Sequence, residues 1–152
     1  MEKKKYKIGY TTGAFDLFHI GHLNILKKAK EHCEYLIVGV STDELVKSYK
    51  QKSPAIPYNE RVEIIEAIRY VDKVVPQETR DKITAYDEYH FDVMFVGDDW
   101  KGSGIFAEAE KELKKKGADV IYFPYTKNTS STLLTKALKC LIEGAENKTK
   151  QT

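Results

Sequence analysis

The chain has 152 residues, of which 41% are hydrophobic and 32% charged, and its net charge at pH 7 is +2. This length and balance are typical of one soluble globular domain, and so small a net charge does not favour a nucleic-acid or anionic-membrane partner. No stretch reaches the roughly 20 apolar residues of a membrane span, and Cys33 and Cys140 lack the spacing of a metal or redox pair. We therefore expect a cytoplasmic protein with one domain over residues 1–144 and a polar tail over 145–152.

Short apolar runs alternate with helical patterns along the chain. The sequence predicts strands over 6–12, 35–40, 74–75 (ended by Pro76), 92–96 and 120–123. It predicts helices over 23–30, 61–68, 79–89, 106–116 and 131–142, and a short one capped by Ser41 or Thr42. Such alternation predicts an α/β fold with five parallel strands in a three-layer, doubly wound, Rossmann-like sheet. Ligands of such sheets bind at the carboxyl ends of the strands.

The first strand runs into a glycine-containing loop with two histidines, residues 13–22, and a helix follows. A helix N-terminus presents unpaired N–H groups and the positive end of the helix dipole, both of which suit a phosphate. His19 and His22 lie on one face if the helix begins at or before His19. Two imidazoles and a row of N–H groups can then converge on one phosphate. Zinc is weakly supported, because no Cys/His cluster nearby completes a tetrahedral site.

The segment His19-Ile20-Gly21-His22 is the HxGH signature of a nucleotidyltransferase superfamily. Further motifs follow in order, namely Ser41-Thr42-Asp43-Glu44, Arg69-Tyr70-Val71-Asp72, Gly97-Asp98-Asp99-Trp100 and Ser130-Ser131-Thr132. Over residues 6–140 this ordered set resembles the cytidylyltransferase family, and within it the enzymes of the glycerol 3-phosphate type. The resemblance implies the HxGH nucleotidyltransferase fold and transfer of a cytidylyl group from CTP to a small alcohol phosphate. The product would be a CDP-alcohol, CDP-glycerol above all, for teichoic acid or capsule synthesis.

The implied reaction needs no nucleophilic side chain, because an oxygen of the acceptor phosphate attacks, so cations and N–H donors should carry catalysis. The resemblance implies catalytic roles for Asp16, His19, His22, Lys52 and Arg69. It implies nucleotide contacts from Ala14, Phe15, His19, Ile20, Gly21, His22, Lys52, Asp99, Tyr125, Thr126, Lys127, Asn128, Thr129, Ser130, Ser131 and Thr132. Lys50 and Lys82 would hold the acceptor. Mg²⁺ is expected on the triphosphate rather than in a cage of protein ligands.

Several alternatives remain open at this point. Tyr125 stands where the family typically has an arginine beside the nucleotide, which leaves an adenylyltransferase of the same fold as a rival. Another polyol phosphate, phosphocholine or phosphoethanolamine is an alternative acceptor. A non-catalytic nucleotide-binding module is the rival from another class, and the two histidines, Lys52 and Arg69 argue against it. The resemblance also implies a homodimer with residues 69–72 near its interface. Charge and hydropathy predict neither nucleic-acid binding nor membrane insertion.

Overall fold

The computed structural model describes residues 6–97, 104–124 and 131–150. The strands are β1 (Tyr6–Gly13), β2 (Cys33–Ser41), β3 (Lys73–Gln77), β4 (Val93–Gly97) and β5 (Asp119–Phe123). The helices are α1 (Ile20–His32), α2 (Asp43–Lys50), α3 (Tyr58–Glu66), α4 (Lys82–Tyr89), α5 (Gly104–Lys115) and α6 (Ser131–Lys150). Neighbouring strands are all parallel, in the order β3-β2-β1-β4-β5. The predicted α/β fold with a five-stranded parallel sheet is confirmed.

Helices cover both faces of the sheet, as the nearly continuous apolar runs in β2 and β4 require. On one face, Leu26 of α1 and Ile65 of α3 pack in one buried cluster with alternate side chains of β2 such as Val38. On the other face, Leu113 of α5 packs with Met94 of β4 in a second cluster, and half-buried side chains of α4 join it. The result is a helix–sheet–helix sandwich of three layers.

The strand order defines where a ligand can bind. After β1 the chain first adds β2 and β3 on one side, and it then crosses over to add β4 and β5 on the other side. The crevice outside the carboxyl ends of β1 and β4 is therefore the switch point at which open α/β sheets bind ligands. The loop with the two histidines leaves β1 at this position.

Several element boundaries differ from the prediction. β3 continues through Pro76 to Gln77. Among the described strands it pairs with β2 alone and lies at the edge of the sheet, where a proline without an N–H is tolerated. Thr42 caps α2, as one of the two predicted caps. α6 continues to Lys150 instead of ending near residue 142, since nothing after Gly144 breaks a helix. The side chains described in α6, residues 133–145, are exposed or half-buried.

No helix in the described ranges combines the length and the apolar character that crossing a membrane requires.

Gly9 marks a close approach between β1 and its surroundings. A Cβ at this position would lie 2.6 Å from Cε2 of Phe95 and 2.7 Å from Sγ of Cys33, and both side chains are buried. We predict that Gly9→Ala lowers the free energy of unfolding by about 1 to 3 kcal/mol, because the core must shift to admit the methyl group. Thermal unfolding measures this. Gly144→Ala is the control, since a Cβ there meets nothing within 4 Å; equal melting temperatures for Gly9→Ala and wild type would refute the prediction.

Candidate active site

The loop between β1 and α1, residues 14–19, is held in a strained conformation. Phe15 and Leu17 adopt φ angles of 53° and 50°, in the left-handed region that bulky residues avoid at a cost of roughly 1 to 2 kcal/mol each. The side chain of Phe15 is only 6% exposed and packs in the core between α1 and the sheet. Burial of this ring offsets the strain and fixes the path of the loop that carries the histidines.

His19 and His22 form a reciprocal cap at the start of α1. His19 is the N-cap residue, and its Nδ1 accepts a hydrogen bond from the Gly21 N–H at 3.0 Å. The Nδ1 of His22 accepts one from the His19 N–H at 3.3 Å. Because both Nδ1 atoms are acceptors, each neutral ring carries its proton on Nε2, an assignment that follows from these backbone donors. The ring centroids are 4.0 Å apart, so the site holds two adjacent Nε2–H groups.

The environment of this pair keeps both rings neutral. The ring of His22 packs against the edge of Phe15 and stacks on Phe18, with centroid distances of 5.4 and 5.3 Å. Burial, together with the nearby His19 and Lys50, lowers the pKa of His22 to about 4. Burial also lowers the pKa of His19. At pH 7 the pair therefore offers hydrogen-bond donors rather than positive charges.

The low pKa of His22 predicts a loss of stability in acid. Between pH 6.5 and about 4, the unfolded chain binds a proton on His22 that the folded chain does not bind, so the free energy of unfolding falls as the pH falls. The shift corresponds to roughly 3 kcal/mol. We expect the stability of wild type relative to His22→Gln to decrease by about this amount between pH 7.5 and pH 4 in urea unfolding.

Gly144→Ala is the control for this pH dependence, because the substitution removes no titratable group and a Cβ at this position meets nothing within 4 Å. Its stability relative to wild type should stay nearly constant over the same range. If the free energies of unfolding of wild type and His22→Gln differ by the same amount at both pH values, the assignment of a low pKa to His22 is contradicted.

Asp16 ties the histidine loop to the loop between α2 and α3. Its Oδ2 accepts the N–H of Ala55 at 2.8 Å, and its Oδ1 accepts the N–H of Ile56 at 2.9 Å. Both carboxylate oxygens thus bind backbone, which makes Asp16 an anchor of residues 51–57. Its charge acts to raise the pKa of His22, against the larger effect of burial.

Arg61 is a central residue that the sequence analysis did not identify. Its side chain is fully buried, with Nε donating to the Ile56 carbonyl at 2.9 Å. Nη1 donates to the carbonyls of Ala14 and Ser41 at 2.6 and 2.7 Å, and Nη2 pairs with Asp43 Oδ1 at 2.6 Å. One guanidinium thus joins the histidine loop, the end of β2, the start of α2 and the loop before α3. The available signal was its position four residues before Ile65, on the buried face of α3.

Three of the predicted lysines, Lys50, Lys52 and Lys82, lie near the histidine loop, at the carboxyl edge of the sheet. Lys50 ends α2, and Lys52 is exposed in the loop that Asp16 anchors. Lys82 opens α4, and its Nζ lies 3.4 Å from Oγ1 of Thr12 near the end of β1. Burial, and secondarily the charge of Arg80, lowers the pKa of Lys82 to about 8. The edge therefore combines neutral imidazole donors with ammonium groups.

Arg69 lies at the opposite edge of the sheet. It precedes β3, and the nearby Asp72 is bonded to Leu36 near the start of β2. The Asp72 N–H donates to the Leu36 carbonyl at 3.0 Å, and the Leu36 N–H donates to Asp72 Oδ2 at 2.8 Å. Arg69 is exposed, and its Nη2 donates to the hydroxyl of Tyr70 at 2.9 Å. A single chain does not bring Arg69 together with the histidines, so its catalytic role stays a prediction.

The structure describes only some of the remaining residues that are predicted to contact the nucleotide. Ile20 is 50% exposed as the first residue of α1 and Gly21 behind it is buried. Ser131 and Thr132 form the first turn of α6, of which the backbone alone is described. Predicted contacts at Asp99 and over 125–130 lie outside the described residues. Within the described ranges, no group of three or more His, Cys, Asp or Glu side chains is arranged to hold a metal ion.

Comparison with known proteins gives consistent matches over most of the chain. Residues 10–139 match the family model described as cytidylyltransferase-like. A glycerol-3-phosphate cytidylyltransferase from Bacillus spizizenii is 39% identical over 132 residues, covering 86% of this chain and 96% of that protein. An FAD synthase from Thermococcus kodakarensis is 35% identical over 156 aligned residues, covering 94% of this chain and 97% of that protein. The crystal structure of a lipopolysaccharide core biosynthesis protein from Thermoplasma volcanium superimposes with a TM-score of 0.67 at 27% identity, over 82% of this chain and 99% of that chain.

Proposed function

The chain belongs to the cytidylyltransferase-like family and is a nucleotidyltransferase, and we propose that it transfers a cytidylyl group from CTP to glycerol 3-phosphate. The products are CDP-glycerol and pyrophosphate. The similarity to glycerol-3-phosphate cytidylyltransferases over nearly their whole length supports this reaction. The observation that carries the mechanism is the pair of neutral imidazoles capping α1.

In this reaction a phosphate oxygen of glycerol 3-phosphate attacks the α-phosphorus of CTP. The bond from that phosphorus to the pyrophosphate oxygen breaks, and pyrophosphate leaves with the electron pair. The attacking oxygen is already deprotonated at neutral pH, so the protein needs no general base. Catalysis consists of holding two anions in line and stabilising the charge on the phosphate oxygens. The Nε2–H groups of His19 and His22, beside the N-terminus of α1, supply that stabilisation in our proposal.

The two substrates occupy opposite sides of the switch point in this proposal. The nucleotide lies toward β4 and β5, where Asp99 and residues 125–132 follow the strands in sequence. The acceptor lies toward β2 and β3, where Lys50 and Lys82 are positioned. Lys52, on the loop between α2 and α3, closes over the phosphates. This arrangement places the attacking oxygen and the leaving pyrophosphate on opposite sides of the α-phosphorus, as in-line displacement requires.

Arg69 fits this scheme only through a second copy of the chain. It lies at the amino edge of the sheet in one subunit, so a phosphate contact requires the proposed homodimer to bring it to the site of the other subunit. The proposal therefore links the role of Arg69 to dimer formation.

The divalent cation of the reaction is Mg²⁺ in our proposal, and it arrives on the triphosphate. The described residues fit this arrangement, because Asp16, a carboxylate whose charge acts on His22, is engaged by two backbone N–H groups. Mg²⁺ keeps most of its water ligands and binds phosphate oxygens well, which suits a site without a protein cage. We place the enzyme in the cytoplasm, with CDP-glycerol serving teichoic acid or capsule synthesis.

Adenylyl transfer is the second candidate function. The similarity to an FAD synthase over nearly the whole of both chains favours it, as does Tyr125 in place of the family arginine. FAD contains an adenylyl group joined to flavin mononucleotide, so the chemistry at phosphorus would be the same and the base pocket would differ.

One assay separates these functions. Pyrophosphate release is measured with Mg²⁺, crossing CTP and ATP against glycerol 3-phosphate, another polyol phosphate, phosphocholine and flavin mononucleotide. Turnover with CTP and glycerol 3-phosphate is the expected result. Turnover with ATP but not with CTP would show that the transferred group is adenylyl and would refute the proposed cytidylyl transfer. A thermal shift with CTP but no turnover with any pair would instead support a nucleotide-binding module.

A further inference from the structure

Arg80 lies in the loop between β3 and α4, at the carboxyl edge of the sheet. Its Cζ is 4.6 Å from the centroid of the Tyr49 ring. The Nζ of Lys50, the next residue along α2, lies 5.9 Å from the same centroid. One aromatic ring thus supports two cations, and its negative face favours both positions.

This pair of cations is continuous with the groups already placed in the site. Lys50 is close enough to His22 for its charge to contribute to the lowered pKa of that histidine. Arg80 is close enough to Lys82 for its charge to contribute to the lowered pKa of that lysine, behind the larger effect of burial. The ammonium of Lys82 in turn reaches Thr12 at the end of β1. Three cations therefore follow one another from the histidine loop to α4, and the carboxylates beside them, Asp16 and Asp81, are bonded to backbone N–H groups.

The position of these cations in the fold indicates which substrate they contact. Lys50, Arg80 and Lys82 follow β2 and β3, on the side of the switch point away from β4 and β5. Like charges held near one another repel, so such a cluster favours an anion placed between them. A guanidinium can donate two parallel hydrogen bonds to a phosphate, whereas a lysine offers a single point of charge.

We propose that Arg80, seated on the ring of Tyr49, binds the phosphate of the acceptor together with Lys82. This inference rests on the proposed function. A phosphate monoester has three terminal oxygens, so a guanidinium that holds two of them leaves the third free to attack the α-phosphorus of CTP. Tyr49 fixes the guanidinium plane, and Lys50 adds charge between the acceptor and the triphosphate. Arg80 thus defines the orientation of the acceptor, which the histidines do not contact.

The test is steady-state kinetics of wild type and of Arg80→Met, with pyrophosphate release followed while CTP and glycerol 3-phosphate are varied in turn. We expect Arg80→Met to raise the KM for glycerol 3-phosphate by roughly 10- to 100-fold, while the KM for CTP changes less than about twofold. Arg80→Lys should recover part of this loss, because it restores the charge without the fork. Tyr49→Leu should raise the acceptor KM by roughly 3- to 10-fold through loss of the ring.

Lys73→Met is the matched control, since Lys73 is exposed at the first residue of β3, at the opposite edge of the sheet. It should leave both KM values unchanged, and equal melting temperatures verify that the Arg80 variants remain folded. An acceptor KM that is unchanged in Arg80→Met, or a KM for CTP that rises equally, overturns this inference and leaves the proposed function standing. If the wild-type enzyme does not turn over CTP and glycerol 3-phosphate, both this inference and the proposed function are overturned.

Discussion

Replacing His22 by alanine should lower kcat by about two to three orders of magnitude while the chain still folds. The substitution removes one of the two Nε2–H donors at the start of α1, and a donor aimed at developing charge contributes about this factor to catalysis. It also removes the acceptor of the backbone N–H of His19, so the N-cap residue loses one of the two hydrogen bonds of the reciprocal cap. The structural cost is that of part of a helix cap, about 1 kcal/mol, which a domain of this size tolerates.

Two variants isolate the chemical contribution of His22. His32→Ala removes an exposed imidazole from the far end of α1 and should leave kcat unchanged. His22→Gln retains an amide donor, and its Oε1 can still accept the His19 N–H as in a capping box, but it lacks the ring that Phe15 and Phe18 hold in place, so we expect intermediate activity. Circular dichroism and thermal unfolding verify the fold of each variant. Wild-type turnover by a folded His22→Ala enzyme would remove the central claim of the proposed mechanism.

The neutrality of the histidine pair bears on how the mechanism operates. A charged imidazole would attract the triphosphate more strongly, but it would also repel the neighbouring ring 4.0 Å away and the cations at the same edge. Burial between Phe15 and Phe18 excludes water from one side of His22. Neutral donors already oriented by the cap need little rearrangement as charge develops on the phosphate. The lysines and Arg80 supply the net positive charge instead.

Much of this architecture could be predicted from local sequence patterns. Apolar runs such as residues 35–40 identified the buried strands, and their alternation with helices implied the parallel sheet. The glycine and histidines between a strand and a helix also predict a phosphate site in the loop before α1, and that prediction is the one the His22→Ala assay tests. The role of Nδ1 in capping was not predictable, since histidine is rarely considered among N-cap residues. Pro76 inside β3 was missed because the edge position of that strand depends on the strand order.

Two arginines show why residue type and spacing did not settle the site. Arg69 belongs to a motif of the resembled family, yet one chain holds it at the amino edge of the sheet, away from the histidines. Arg61 belongs to no motif that we identified, yet it is buried among four oxygen acceptors. Contacts between residues 14, 41, 43, 56 and 61 depend on tertiary packing, which a single sequence does not report. A buried arginine is visible from sequence only as a charge on an otherwise apolar helix face.

Replacing Arg61 by alanine should cause the largest loss of stability of any single substitution considered. It leaves the carboxylate of Asp43 and the carbonyls of Ala14, Ser41 and Ile56 without their donor. The side chain of Asp43 is 46% exposed and still accepts the Tyr58 N–H, so most of the cost comes from the three carbonyls. A buried acceptor left without a donor costs about 1 to 3 kcal/mol, so we expect the melting temperature to fall by roughly 10 °C. Activity should fall as well, because the histidine loop loses its link to β2 and to the loop before α3.

The matched variants for this test are Arg61→Lys and Arg69→Ala. Lysine keeps the charge but cannot reach four separate acceptors with one ammonium, so Arg61→Lys should be destabilised by a smaller amount and should have a lowered kcat. Arg69→Ala removes an exposed arginine that contacts Tyr70, and its melting temperature should stay within about 2 °C of wild type. Urea and thermal unfolding measure these differences. If Arg61→Ala unfolds within 1 kcal/mol of wild type, the guanidinium does not hold the loops together. The orientation of the histidines must then come from the other contacts of their loop, such as the buried ring of Phe15 and the two hydrogen bonds of Asp16.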